Sequence, residues 1–348
     1  MTSKIANDPR IDPRIKAVFS AFDMGPELGD VNSREDILRE ESTPEAQASA
    51  AGLKAFLDMC DSEEIAPSHG LRVHTEQVQS VPDGNSINIQ FIRPDTNERV
   101  PCVYYIHGGG MERLSCYDGN YKAWGRMIAA NGVAVAMVDF RNAILASSVS
   151  EVAPFPAGLN DCVSGLAWVH ANSSKLNIDP ERIIVAGESG GGNLTLATGL
   201  RLKQDGKLGL IQGMYALCPY VAGQWPLTEH PSSIENNGIM LQLHHNRGAM
   251  GYGIEAFEQR NPLAWPGFAT ADDVKGLPPT IISVNECDPL RDEGIAFYRR
   301  LLQGGVSARC RQVMGTIHGT EIFPICCPDI SRDTARNIAD FARLGFDG

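Results

Sequence analysis

The stretch that decides the fold is Ile183-Ile184-Val185-Ala186-Gly187-Glu188-Ser189-Gly190-Gly191-Gly192-Asn193-Leu194. Its first four residues are apolar, which predicts a short buried strand, and helical spacing of apolar residues begins at Leu194. The pattern Gly-x-Ser-x-Gly between them permits a tight strand-to-helix turn that lifts a serine hydroxyl above a sheet. That pattern alone is equally consistent with a glycine-rich turn around an inert serine. With a strand before it and a helix after it, Ser189 becomes a candidate nucleophile.

A second glycine run, His107-Gly108-Gly109-Gly110-Met111, follows the apolar strand Cys102-Val103-Tyr104-Tyr105-Ile106. Reactions at a carbonyl carbon build negative charge on its oxygen, and backbone N–H groups stabilise that charge. Glycines let the backbone approach a substrate closely, and lipases and esterases use a loop of this composition. A phosphate-binding loop is disfavoured because no Lys-Ser or Lys-Thr pair follows the glycines. The run therefore predicts an oxyanion hole, with His107 bracing the loop.

The base is sought among the histidines after Ser189, because hydrolases with this serine turn carry nucleophile, acid and base in that order. His230 lies in a polar, proline-rich stretch. The pair His244-His245 lies in a helical-looking segment, without a carboxylate or cysteine at metal-ligand spacing. Only His318 follows a strand-like run, residues 306–314, and a glycine turn. We therefore expect His318 to be the base and no metal to be bound.

The acid is expected directly after the strand that precedes the histidine, here residues 279–285. Asp288 stands before a proline, which biases it towards an extended conformation at the end of that strand. Asp292 and Glu293 fall in the first turn of the next helix, where a carboxylate already has a favourable role beside the helix dipole. Asp288 is therefore the better candidate for the residue that orients the histidine.

Four motifs resemble those of the hormone-sensitive-lipase-like carboxylesterases in the α/β-hydrolase superfamily. They are His107-Gly108-Gly109-Gly110, Gly187-Glu188-Ser189-Gly190-Gly191, the run from Asp288 to Gly294, and Gly315-Thr316-Ile317-His318. The chain departs from the common family form at two places. It has Glu188-Ser189-Gly190 where Asp-Ser-Ala is usual, and Phe140-Arg141-Asn142-Ala143 where Tyr-Arg-Leu-Ala is usual. The departures leave the reactive residues intact, but they do not allow substrate preference to be carried over.

The resemblance implies hydrolysis of carboxylic esters through an acyl-enzyme, without a metal or organic cofactor. A site covered by a helical cap is expected to favour short acyl groups, because large substrates enter only when the cap is open. The implied nucleophile, acid and base are Ser189, Asp288 and His318. The implied oxyanion-hole amides are those of Gly108, Gly109 and Gly190, and the implied residues of the substrate pocket are Met111 and Glu188. A lactonase, an aryl formamidase or another amidase on the same scaffold stays open, because these share the nucleophile chemistry. A non-catalytic ligand-binding receptor is disfavoured because His318 is present.

The order of predicted elements indicates an α/β-hydrolase fold, with a mostly parallel eight-stranded sheet flanked by helices and covered by a helical cap. Predicted strands are 71–79, 86–92, 101–106, 132–139, 182–187, 211–218, 279–285 and 306–314, and predicted helices are 119–130, 158–173, 193–204, 290–303 and 331–344. Two stretches lack strand patterns, so we expect residues 1–60 and 221–268 to form the cap. The core is then residues 61–220 and 269–348.

Composition is that of a globular enzyme. The net charge of −12 disfavours binding to nucleic acid and to anionic membranes. No apolar stretch has the length of a membrane span, and the N-terminal residues lack an apolar signal core. Most of the nine cysteines lie in or beside apolar runs, which favours buried thiols and a cytoplasmic location. The expected partner is a small ester or lactone, and a homo-oligomer stays open.

Overall fold

The computed structural model describes residues 3–20 and 27–346. One eight-stranded sheet runs through this part of the chain, in the order β1-β2-β4-β3-β5-β6-β7-β8. β1 pairs antiparallel with β2 and β2 antiparallel with β4, and all other neighbours are parallel. The strands are β1 (Leu71–Gln79), β2 (Ser86–Pro94), β3 (Val100–Ile106), β4 (Ala134–Asp139), β5 (Ile178–Glu188), β6 (Gly213–Leu217), β7 (Thr280–Asn285) and β8 (Ala308–Val313). The predicted fold class is thus confirmed, and each predicted strand has its counterpart.

Helices cover both faces of the sheet. In the described ranges they are α1 (Lys4–Asn7), α2 (Pro13–Phe19), α3 (Arg34–Glu41), α4 (Pro44–Asp58), α5 (Gly119–Ala129), α6 (Ala157–Ala171), α7 (Ser173–Leu176), α8 (Gly190–Gln204), α9 (Ser232–Glu235), α10 (Arg247–Glu258), α11 (Ala271–Val274), α12 (Arg291–Gln303) and α13 (Pro328–Leu344). Short 3-10 turns lie at Leu208–Leu210, Pro266–Phe268 and Thr320–Ile322. Helix α8 begins three residues before the predicted start. The prediction missed its first turn because that turn consists of glycines, which have low helix propensity.

The core has two layers because side chains of the central strands alternate between the faces of the sheet. On β3, Tyr104 and Ile106 pack with α6, α8 and α12, whereas Val103 and Tyr105 pack with α5 and α13. Both faces of the central strands are buried, which explains their nearly continuous apolar sequences. The outer strand β1 is largely exposed and carries polar residues.

The N-terminal helices contribute to the core as well as lying at the edge of the fold. Ile15 and Phe19 of α2 are buried in the layer that also holds α13. The Phe19 ring meets Phe323 edge-on, with 5.3 Å between ring centroids. The Asp12 amide donates a hydrogen bond of 2.9 Å to the carbonyl of Gly315. The N-terminal segment is therefore tied to the part of the chain that carries His318.

The segment 221–268 contributes no strand to the sheet and contains α9 and α10. Helix α10 contacts the N-terminal region, where Arg247 forms a 2.6 Å ion pair with Glu40 of α3. The Val31 amide donates to the side chain of Asn246 at 2.9 Å. The two expected cap pieces are therefore joined to each other, and the division of the chain into cap and core segments stays a prediction. Within the described ranges, no helix combines the length and apolar character needed to cross a membrane.

We expect Ile15→Ala to lower the free energy of unfolding by about 3 kcal/mol, because a fully buried side chain is removed from a packed layer. Urea unfolding followed by circular dichroism measures the change. Val73→Ala is the control, since Val73 is half exposed on β1, and its loss should be under about 1 kcal/mol. Equal stability of Ile15→Ala and the parent chain would show that α2 is not part of the cooperative core.

Candidate active site

The turn between β5 and α8 holds Ser189 in a strained backbone conformation. Its φ is 57° and its ψ is −120°, a region that residues with a side chain rarely adopt. Glycine is required on both sides of Ser189 because neighbouring backbone lies too close to leave room for a side chain. A Cβ on Gly187 would lie 2.5 Å from the carbonyl oxygen of Gly191, and a Cβ on Gly191 would lie 2.0 Å from that of Ile106. The Ser189 amide donates to the Leu217 carbonyl at 2.9 Å, which fixes the turn against β6.

His318 and Asp288 lie in the loops after β8 and β7, and the structure brings both to Ser189. His318 Nε2 lies 2.8 Å from Ser189 Oγ, and His318 Nδ1 lies 2.8 Å from Asp288 Oδ2. The other carboxylate oxygen of Asp288 accepts the Leu290 amide at 2.8 Å. We assign the imidazole proton to Nδ1, because the carboxylate can only accept, and this leaves Nε2 free to accept the serine hydroxyl.

The electrostatics of His318 combine two opposing effects. Burial lowers the pKa of His318, whereas the negative charge and hydrogen bond of Asp288 raise it, and the pKa lies well above its ordinary value. Cys218 is a third neighbour, which the sequence analysis treated only as a buried thiol. Ligand atoms of Cys218, Asp288 and His318 all lie within 4.8 Å of one another. Burial raises the pKa of Cys218 to about 11, so this thiol stays neutral beside the histidine.

The glycine loop after β3 lies directly against the serine turn. Gly109 and Gly110 have φ values of 93° and 66°, which glycine adopts without strain. Among the described residues, no acceptor binds the amides of Gly109 and Gly110. A Cβ on Gly190 would lie 2.5 Å from the amide nitrogen of Met111 and 2.7 Å from that of Gly110. The amide of Gly190 is one of the four at a helix N-terminus that have no intrahelical partner. Free amides of the loop and of α8 therefore lie close together beside Ser189.

Gly108 was expected to be an oxyanion-hole donor, but its amide is already bound within the protein. Its amide already donates to Glu188 Oε1 at 2.7 Å and lies 3.0 Å from the Tyr121 hydroxyl. An amide bound to a carboxylate is not available to a substrate. The amide of Gly110, the third glycine of the run, has no such partner among the described residues and lies beside Gly190. The direction of each amide depends on the φ values of the loop, which the order of glycines does not reveal.

Glu188 was expected to line the substrate pocket, but its carboxylate has partners within the protein. The side chain is buried, and its carboxylate accepts hydrogen bonds from the hydroxyls of Tyr105 at 2.5 Å and Tyr121 at 2.6 Å. Together with the Gly108 amide, these donors occupy both carboxylate oxygens. Sequence reasoning missed the two tyrosines. No sequence signal identified them, because Tyr105 comes from β3 and Tyr121 from α5.

Met111 and His107 flank the glycines and are both buried. Met111 has a φ of 62°, and its carbonyl accepts the Ala143 amide at 2.9 Å. Its role in the substrate pocket stays a prediction. The His107 ring stacks on Phe140 with 4.3 Å between centroids, and its Nδ1 lies 2.9 Å from the Gly108 carbonyl. Burial lowers the pKa of His107, so a neutral ring packs beneath the loop.

Asp292 and Glu293, the weaker candidates for the acid, form hydrogen bonds to the segment after β6. Asp292 Oδ2 accepts the Ser232 amide at 2.7 Å. Glu293 accepts the Val221 amide at 2.7 Å and the indole N–H of Trp225 at 2.6 Å. Both carboxylates thus anchor the 221–268 segment to the first turn of α12. Asp288 is the carboxylate at the histidine.

A model of the α/β-hydrolase fold family matches residues 103–322, well over half of the chain. The chain belongs to this family. Carboxylesterase NlhH of Mycobacterium tuberculosis is 30% identical over 267 residues, which cover 72% of this chain and 76% of that protein. The fold is also that of two solved esterases. Esterase Est22 is 69% identical with a TM-score of 0.97, over 98% of this chain and 99% of that one.

The second solved structure is brefeldin A esterase, described as a bacterial homologue of human hormone-sensitive lipase. It is 36% identical with a TM-score of 0.84, over 97% of this chain and 94% of that one. These similarities confirm the predicted membership of the hormone-sensitive-lipase-like branch and the predicted enzyme class, serine carboxylesterase.

Gly190→Ala is expected to lower kcat/KM for nitrophenyl butanoate at least about tenfold, because the new Cβ would push the amides of Gly110 and Met111 out of place. Steady-state hydrolysis measures the change. Gly52→Ala in α4, where no atom lies within 4 Å of the added Cβ, is the control and should leave kcat/KM unchanged. Full activity of Gly190→Ala would contradict the close packing of the serine turn against the glycine loop.

Proposed function

We propose that this enzyme hydrolyses carboxylic esters with short acyl groups through an acyl-enzyme on Ser189. The observation that carries the proposal is the hydrogen-bonded chain from Ser189 Oγ through His318 to Asp288, with 2.8 Å at each step. Free backbone amides lie beside the serine, where charge develops in acyl transfer. The relatives named as esterases support the same chemistry.

In the first half of the reaction, Ser189 Oγ attacks the ester carbonyl carbon while His318 Nε2 takes the hydroxyl proton. Asp288 holds the imidazole in the required tautomer and stabilises the imidazolium that forms. The carbonyl oxygen becomes an oxyanion and accepts hydrogen bonds from the amides of Gly109, Gly110 and Gly190. Because Gly108 is bound to Glu188, it takes no part in this contact.

In the second half, the tetrahedral intermediate collapses and the alcohol leaves with the proton from His318 Nε2. Water then attacks the acyl-enzyme while His318 accepts its proton. The second tetrahedral intermediate collapses as His318 returns that proton to Ser189 Oγ, and the carboxylic acid is released. Ser189 and His318 make every proton transfer in this sequence, so the reaction needs neither a metal nor an organic cofactor.

The preference for short acyl groups is supported by how the helices close around the glycine loop. Arg113, three residues after Gly110, forms a 2.9 Å ion pair with Glu41 of α3. Arg34 of α3 donates to the Ala143 carbonyl at 3.1 Å.

We also infer a cytoplasmic location and a small-molecule ester as the partner. All nine cysteines lie in the described ranges and carry free thiols, and eight of them are buried. A reducing compartment preserves such thiols.

A nitrophenyl ester series tests the function. We expect the butanoyl ester to be hydrolysed with much higher kcat/KM than the hexadecanoyl ester. Ser189→Ala should lower kcat by roughly 10⁴ or more with the fold retained. An organophosphate should label Ser189 alone. A matched anilide and a macrolactone complete the series, and faster turnover of either would assign an amidase or a lactonase instead. Preference for the hexadecanoyl ester would identify a true lipase.

The pH dependence tests the acid–base pair. Activity should rise with pH through the raised pKa of His318, because only the neutral imidazole accepts the serine proton. Asp288→Asn removes the neighbouring charge, so this limb should move to lower pH while the plateau of kcat falls by about 10⁴. Asp292→Asn is the control, since Asp292 bonds to Ser232 and not to His318. Equal losses in the two variants would refute the assignment of Asp288.

A further inference from the structure

The residue directly before the nucleophile carries a buried carboxylate for which the mechanism has no use. Glu188 is 2% exposed and binds three donors: the Gly108 amide at 2.7 Å, the Tyr121 hydroxyl at 2.6 Å and the Tyr105 hydroxyl at 2.5 Å. Burial of a carboxylate is unfavourable unless its oxygens are hydrogen-bonded. All three donors point to the charged, acceptor-only form of the side chain.

We propose that Glu188 is the positioning residue of the oxyanion hole: its carboxylate fixes the Gly108 amide and thereby sets where the amides of Gly109 and Gly110 lie. The proposal rests on the ester hydrolysis proposed above. It assigns the first glycine of the run to anchoring the loop, and the second and third to binding the oxyanion.

The sheet register explains why Glu188 and Gly108 meet. β3 and β5 are parallel neighbours with Ile106 opposite Gly187, so the chain leaves both strands at the same edge. Gly108 must be a glycine for this contact, because a Cβ there would lie 2.4 Å from Glu188 Oε1 and 3.1 Å from the Glu188 carbonyl oxygen. The glycine allows the loop to approach the carboxylate, and the carboxylate holds it there.

The carboxylate is itself held from two sides. Tyr105 reaches it from β3 and Tyr121 from α5, and Tyr121 also lies 3.0 Å from the Gly108 amide. Burial raises the pKa values of both tyrosines well above the ordinary range, so both remain hydroxyl donors. Burial raises the pKa of Glu188 to about 7, while the three hydrogen bonds oppose that rise. The loop is thus tied to a strand and a helix through one side chain.

Side-chain length matters to this contact. The common family form has an aspartate at this position, whereas this chain combines Glu188 with Gly190. Removing one methylene withdraws the carboxylate by about 1.5 Å, one C–C bond length. The Gly108 contact would then exceed hydrogen-bond distance. The side chain at position 188 must therefore be long enough to reach Gly108 as well as acidic.

The experiment compares Glu188→Asp with Glu188→Gln in the full-length enzyme on nitrophenyl butanoate. Glu188→Asp should lower kcat about 10²-fold with KM within about twofold, because the oxyanion donors are displaced while the ester still binds. Glu188→Gln keeps the reach to Gly108 and should lose clearly less. The affinity for a trifluoromethyl ketone, whose hemiketal oxygen occupies the hole, should fall in parallel with kcat/KM. The pH limb of His318 should stay in place, since the triad is untouched.

The tyrosines supply a matched pair in case Glu188→Asp does not fold. Tyr121→Phe removes the donor that faces both the carboxylate and Gly108, and Tyr105→Phe removes a donor on the other carboxylate oxygen. Tyr121→Phe should lower kcat more than Tyr105→Phe. Tyr104→Phe is the control: Tyr104 is equally buried on β3, donates to the Cys162 carbonyl at 2.9 Å, and should retain full kcat.

The outcomes separate this proposal from the proposed function. A wild-type enzyme without Ser189-dependent ester hydrolysis would refute the function itself. Given wild-type hydrolysis, kcat within threefold of wild type in the folded Glu188→Asp and Tyr121→Phe variants would overturn the role of Glu188. A loss that appears in KM alone, or with a displaced His318 limb, would overturn it as well.

Discussion

The close approach of backbone at the ends of β3 and β5 is the constraint on which the rest of the site depends. Ser189 keeps its strained φ only because the strand before it and the helix after it are fixed by the sheet. There is no room for a side chain at Gly187 or Gly191, because an added Cβ would lie 2.5 Å or less from a backbone carbonyl oxygen. Such strain persists only where surrounding packing determines it. The two buried layers supply that packing.

The parallel order of the strands then gathers the remaining groups. β3, β5, β7 and β8 all end at one edge of the sheet, and each is followed by a loop that carries part of the site. Crevices at the carboxyl ends of such strands are where α/β proteins bind ligands. The glycine loop, the serine, Asp288 and His318 come from four different loops. The rigid sheet therefore holds these groups close together although they are far apart in the sequence.

The strands and the fold class were predictable because each depends on local sequence. Local patterns also selected Ser189, Asp288 and His318, which the structure brings together. Period-two and continuous apolar runs give strands, and glycine flanks mark the serine turn. Which amides of the glycine run are bound within the protein was not predictable, since this depends on the direction of each amide. Glu188 was misplaced because its partners, Tyr105 and Tyr121, come from other elements. The burial of Ile15 was hidden within a polar, proline-containing segment.

The anchoring of α2 beside the histidine loop has a consequence for how the protein is made. Asp12 bonds to Gly315 and Phe19 packs on Phe323, contacts that join residues almost a whole chain length apart. A ribosome releases the N-terminal helices first, long before their packing partners exist. The contacts between these helices and their partners can form only after the last strand and helix have been synthesised. The contacts that complete the core around α2 therefore form in the same late step of synthesis as the segment that carries His318.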